Sequence, residues 1–264
     1  MNTQNKNILI GIVVLIIVVL LGYFAWKERG TNGSTVAATS TVSTTTVTVA
    51  SSTSSGYTIT PVALPTSGTP VAPNFKAPLV FSSSVSASDQ ASLQSEFAQA
   101  QAAIASNPVD LDAIIALGNV RKEAGDYAGA AADWQYVSEM SPTNPVSFAN
   151  LADLYTNFLP DYPKAAAAYK QQIANDPTDI YIYEDLFQLY TIKYPQGSSD
   201  PSVILKQGIA ANPKAINLQV DLARYYKAKG DSTDAQAEYQ AAIANANSQG
   251  QTSTAQELQQ ESSQ

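Results

Sequence analysis

The chain of 264 residues carries 14 Lys plus Arg against 22 Asp plus Glu, a formal net charge of −8, and contains neither Cys nor His. Those two absences exclude disulfides, thiolate nucleophiles, Cys/His zinc sites, haem ligation and every His-based triad. The acidic balance makes the chain a poor binder of phosphate backbones, so no nucleic-acid partner is expected.

The charges divide the chain. Lys6, Lys27, Arg29 and Lys76 face only Glu28 in the first 86 residues, and the acidic excess lies beyond. Residues 1–7 form a short polar tail. From Ile8 to Trp26 the chain then runs for 19 residues without a charged side chain. A helix of that length spans about 28 Å, close to the hydrocarbon thickness of a bilayer. Tyr23 and Trp26 stand where aromatic rings favour the headgroup level, with Lys27, Glu28 and Arg29 after them. The run is therefore read as a single transmembrane helix over 8–26. A cleaved signal peptide is the competing reading, with a shorter apolar region and a nearer small-residue site expected of it. No Lys or Arg occurs between residues 30 and 75. The expected topology is accordingly a cytoplasmic N-terminus with the body outside the cytoplasm.

Residues 27–86 form a Ser/Thr-rich and then proline-spaced linker, with Pro61, Pro65, Pro70, Pro73 and Pro78. Short polar side chains cannot offset the entropy of ordering, so a flexible tether is expected, disordered to roughly residue 75. The composition also suits an O-glycosylated stalk.

The acidic body repeats. Pro108, Pro142, Pro177 and Pro213 recur at spacings of 34, 35 and 36, and so do Leu117, Leu151, Leu186 and Leu222. Around them stand Ile114-x2-Leu117-Gly118 with Ala130 and Trp134, then Phe148-x2-Leu151-Ala152-x2-Tyr155 with Ala165 and Tyr169. Tyr183-x2-Leu186-Phe187-x2-Tyr190 and Leu222-Ala223-x2-Tyr226 with Ala235 and Tyr239 complete the series. Small residues let paired helices approach, and the aromatics supply apolar payload. Tyr155, Tyr169, Tyr190, Tyr226 and Tyr239 fall at packing positions and are expected in the core, whereas Tyr181 falls on the opposite face. Upstream, Leu93, Phe97, Ala100 and Ile104 hold helical spacing, so 87–106 reads as a capping helix with Ser86 as its N-cap. Residues 248–264 read as a polar tail or frayed helix.

This series resembles the tetratricopeptide repeat (TPR) family, whose pattern is W-x2-L-G-x2-Y, A-x3-F, P over about 34 residues. The match covers about 108–247 within a repeat domain over 87–247. It departs at Arg121, where an aromatic is usual, and in the longer third unit. The resemblance implies an all-α, right-handed superhelical solenoid of helix hairpins, preceded here by the transmembrane helix and the linker. It also implies a concave groove, lined by the first helix of each pair, that takes a protein or peptide partner. Its inward positions here are Asp112, Ile115, Asn119 and Lys122, then Ala149, Asp153 and Asn157, then Tyr181, Glu184 and Gln188, and finally Val220, Arg224 and Lys227. The Lys and Asn set with which some relatives clamp a carboxylate is represented only by Asn119.

Paired carboxylates such as Asp110 with Asp112 and Asp176 with Asp179 stand at helix starts, where acids favour the dipole, and none has calcium-loop spacing. No phosphate loop, nucleotide fingerprint or nucleophile elbow occurs. No enzyme, metal site or cofactor is expected. The function expected is a membrane-tethered protein-interaction scaffold in a cell-envelope complex. The alternative is a self-associating structural surface protein on a stalk.

Overall fold

A computed structural model of the chain describes residues 69–263. The transmembrane helix read over 8–26, bounded by Ile8 and Trp26, and the linker up to residue 68 lie outside the described residues. Among the described residues no helix is long and apolar enough to cross a membrane.

The described residues form helices without a β-strand: α1 (Ala87–Ser106), α2 (Leu111–Ala124), α3 (Tyr127–Met140), α4 (Pro145–Asn157), α5 (Tyr162–Asn175), α6 (Ile180–Gln188), α7 (Ser202–Ala211), α8 (Ile216–Lys229), α9 (Ser232–Ser248) and α10 (Thr252–Ser262). A π-helical turn, Leu189–Lys193, extends α6, and a 3₁₀ turn, Pro195–Gly197, follows. The third unit thus accommodates part of its extra length at the end of its first helix.

Helix starts follow local chemistry. Ser86, Asp110, Asp126, Asn144, Asp161 and Asp179 each accept a backbone N–H of the first turn. Asp110 and Asp179 are thus occupied as caps, the structural role their spacing suggested.

Pairing is sequential, α2 with α3, α4 with α5, α6 with α7 and α8 with α9, and each pair stacks on the next. The recurring leucines Leu117, Leu151, Leu186 and Leu222 are all buried, together with Trp134 and Tyr183. Trp134 donates from Nε1 to the Ile115 carbonyl at 3.2 Å. A Cβ at residue 118 would stand 2.4 Å from that indole nitrogen, so Gly118 is what admits the ring. Tyr155, Tyr169, Tyr190 and Tyr239 are buried, Tyr226 is half-buried, and Tyr181 is 65% exposed. One apolar cluster runs from the N-terminal segment to α8; a second joins Ile216, Val220 and Ala223 of α8 to α9 and α10.

Two segments pack more closely than the linker and the polar tail or frayed helix read for them. Residues 74–85, read as the end of the linker, lie along α1, α2 and α3 with Leu79 buried. Gln101 donates to the Phe75 carbonyl at 2.6 Å, the Phe75 ring meets Tyr136 at 5.8 Å, and Ser82 N–H donates to the Ala124 carbonyl at 2.7 Å. This strap covers the flank of α1 and α2, where Phe75, Leu79, Phe81 and Val85 offset the cost of ordering. At the other end, residues 252–262 form α10, with Ala255 and Leu258 buried against the second cluster.

The shared face of the first helices

Helices α2, α4, α6 and α8 run side by side, and their polar residues bond across the seams. Lys122 of α2 forms an ion pair with Asp153 of α4. Asn157 donates to the other Asp153 oxygen at 2.8 Å, and Lys193, at the end of the π-turn, donates to Asn157 Oδ1 at 2.6 Å. Asn150 donates to Asn119 at 3.2 Å. Lys122 also stands 4.6 Å above the Phe158 ring, so its charge is held on two sides.

The inward positions read from the sequence divide into three groups. Asp112, Asn119, Ala149, Asn157, Tyr181 and Gln188 are exposed, with Lys122, Asp153 and Glu184 half-buried beside them. These are open to a partner. Ile115 and Val220 are buried in the two apolar clusters and present no surface. Both lie one residue from the packed stripe of their helix, and a neighbouring element covers each.

Arg224 and Lys227 form the third group. Arg224 makes a two-pronged bond to the Glu261 carboxylate, at 2.7 Å from Nε and 2.9 Å from Nη2. Tyr239 donates to the same carboxylate at 2.8 Å, and Lys227 donates to the Glu261 carbonyl at 3.2 Å. Bonding to Arg224 is the main reason the Glu261 carboxyl is lowered to about 2. The basic far end is thus engaged by the chain's own last helix.

Between those ends the face is acidic. Burial raises the carboxyls of Glu184, Asp185 and Asp221 above their ordinary values; Asp221 and Asp185 repel Glu184 in addition, and Asp179 and Asp153 repel Asp185. Sequence reasoning did not place Asp185, Asp221, Lys193 or Glu261 in the candidate site. For Glu261 a signal existed: Leu258 stands 36 residues after Leu222, the spacing of the preceding interval. For Lys193 none did, since the π-turn that places it depends on packing. Among the described residues no group of three or more Asp or Glu is placed to hold a metal ion, and the sequence carries no catalytic motif.

No family model and no curated protein matches the chain. Among solved structures, a crystal structure of MamA is similar at 15% identity and a TM-score of 0.47, covering 63% of this chain and 98% of that one. YrrB, described as a TPR protein with an unusual peptide-binding site, is 13% identical with a TM-score of 0.41, covering 60% of this chain and 88% of that one. TTC0263, a thermophilic TPR protein of Thermus thermophilus, is 17% identical with a TM-score of 0.37, covering 63% of this chain and 92% of that one. The all-helical architecture, with helices paired in sequence and each pair stacked on the next, rests on this chain's own packing.

Proposed function

We propose that the chain is a TPR protein wound as a right-handed solenoid over residues 87–247, and that it acts as a membrane-tethered scaffold. The stretch of the shared face from Asp112 to Gln188 receives a segment of a partner protein. The observation that carries this reading is the exposed Tyr181 ring on the same helix as Glu184 and Asp185, two carboxyls raised by burial and by neighbouring acids. An amphipathic ring next to acids that repel one another favours a segment presenting Lys or Arg with an apolar neighbour. In this reading Arg224 and Lys227 leave the candidate site, because Glu261 engages them. Residues 8–26 anchor the protein with its N-terminus in the cytoplasm, the linker from 27 holds the domain outside, and the scaffold serves assembly or maintenance of an envelope complex.

The test is affinity capture with the full chain in detergent, against solubilised envelope and cytosolic fractions. Beside it runs a Tyr181→Ala, Glu184→Gln, Gln188→Ala variant, whose changes leave the helix pairs intact. A partner held by the native chain, released at high salt and lost from the variant supports the scaffold; an envelope or exported partner supports the topology. Capture of the chain's own copies alone, unaffected by the variant, would replace it with the self-associating surface protein.

A further inference from the structure

Helix α10 covers a second surface of the repeat array. Ala255 and Leu258 are its buried residues, and they close an apolar cleft that Val220 and Ala223 of α8 form with Tyr239 and Ala242 of α9. At the rim of that cleft polar side chains converge on one residue. Arg224 holds the Glu261 carboxylate through Nε and Nη2, at 2.7 and 2.9 Å, and Tyr239 donates its hydroxyl to it at 2.8 Å. Lys227 donates to the Glu261 carbonyl at 3.2 Å. A planar guanidinium with a hydroxyl beside it recognises one carboxylate by geometry as well as by charge. An apolar cleft next to such a clamp selects a helix by a few anchors on one face. Here the anchors are Ala255, Leu258 and Glu261, each three residues from the next.

Little else holds α10 in place. Ser253, Gln256, Glu257, Gln259 and Gln260 are exposed. Gln251 gives the start of the helix no side-chain cap. The turn before it contains Gly250 at φ +73°, where an added Cβ would meet nothing within 4 Å, so the joint between α9 and α10 stands in open space. The clamp is itself in reach of water, with the Arg224 side chain 56% exposed and that of Glu261 31%. A segment with few buried contacts and exposed bonds opens at far lower free energy than the domain around it. Once α10 swings away, Arg224 and Lys227 lose this anion and the cleft is uncovered, and both changes favour an occupant with the same three anchors.

We propose that α10 is an autoinhibitory latch: it fills a docking site on α8 and α9 whose exchangeable occupant is an amphipathic helix of a partner protein, presenting a leucine and, three residues later, a carboxylate. The partner helix enters only as α10 leaves, so the chain's own segment sets how tightly it binds. This site is separate from the stretch between Asp112 and Gln188, and neither reading depends on the other.

The probe is a fluorescein-labelled peptide of residues 249–263, which carries all three anchors, and its binding to the full chain in detergent is followed by anisotropy. The latch-opening variant Leu258→Ser, Glu261→Gln should bind it at least about tenfold more tightly than the native chain, whose site is already filled. Adding Arg224→Gln to that variant, or Glu261→Gln to the peptide, should weaken binding about tenfold. Equal affinity of the native and latch-opened chains overturns the proposal, as does binding indifferent to both charge changes. A second measurement keeps the latch residues native. The chain has no cysteine, so spin labels at Ala228→Cys and Gln256→Cys report the position of α10 by double electron–electron resonance. Excess unlabelled peptide should replace a short, narrow distance by a long, broad one, and an unchanged distance overturns the proposal. A dimer of the native chain that is lost in Leu258→Ser, Glu261→Gln would make a second copy the occupant and overturn the assignment to a partner.

Discussion

The two ends of the helix array are closed in opposite ways. At the N-terminal end a strap without helical structure lies over α1 and α2 and is tied to a buried charge. Arg121, where the repeat pattern has an aromatic, places Nε 3.2 Å from Asp133, a side chain with no exposed surface, and donates to the Asn74 carbonyl of the strap at 3.3 Å. Its guanidinium also lies 5.6 Å from the Phe97 ring centroid and 3.8 Å from Asp126. At the C-terminal end a helix docks through Ala255 and Leu258 and is latched by Glu261 on Arg224, in reach of water. Burial, more than the presence of an ion pair, decides what each pair does. The Asp133 carboxyl is raised to about 7, chiefly by burial and against the pull of Arg121, whereas Glu261 is lowered to about 2, chiefly by its bond to Arg224.

The largest effect expected is at the buried pair. Arg121→Met leaves Asp133 without its cation and frees the Asn74 carbonyl, and should cost about 3–5 kcal/mol. Arg121→Met with Asp133→Leu should recover most of that loss. Urea unfolding of the single and double variants measures both, and equal losses in the two would show that the pair is not what holds this end.

Removing the apolar contact at the other end should cost less. Leu258→Ala should lose about 2–3 kcal/mol at α10. Hydrogen exchange should show α10 opening while α1 to α7 keep their protection, because α10 packs only on the last pair. Loss of protection throughout would mean that the ends are coupled.

Two glycines sharpen the comparison further. Gly125 and Gly230 both end first helices in the left-handed region, at φ +87° and +85°. Gly230→Ala meets nothing and should cost about 1 kcal/mol from its backbone alone. A Cβ at residue 125 would stand 2.6 Å from Ser82 Cβ of the strap. Gly125→Ala should therefore cost more, about 2 kcal/mol or above. Thermal unfolding of both variants checks the difference, and the excess should vanish on Ser82→Gly.

The effects of pH at the two ends oppose each other. Asp133 binds its proton more tightly folded than unfolded, so its contribution is full below about pH 4 and is lost as pH rises toward about 7. Glu261 is the reverse: its contribution is present above its ordinary range and is lost as pH falls toward about 2. Glu261→Gln should cost only about 1 kcal/mol at neutral pH, since Arg224 is more than half exposed and salt screens the pair. Hydrogen exchange at pH 4 and pH 7 checks the signs at each end separately.

Much of the fold was legible as spacing. A leucine recurring every 34–36 residues can only lie on a repeated helix face, and the small residues beside it mark where helices meet. The candidate site was legible less well. Asp112, Asn119, Tyr181 and Gln188 do lie on exposed positions of the first helices, but Ile115 and Val220 are one residue nearer the core than the pattern reveals. The strap was unreadable because Phe75, Leu79, Phe81 and Val85 have no period; they fit a surface built by residues far along the chain.

By itself, the sequence determined the helices, their caps and the order in which they pair, because those depend on residues within one turn or one repeat of each other. Only the tertiary structure decided that residues 74–85 close one end, that Glu261 withdraws Arg224 and Lys227 from the shared face, and that Arg121 is buried against Asp133. Each of these joins groups whose meeting depends on how the helix pairs stack. Burial raises the carboxyl of Asp133 and the bond to Arg224 lowers that of Glu261, and both environments belong to the assembled array rather than to any local stretch of chain.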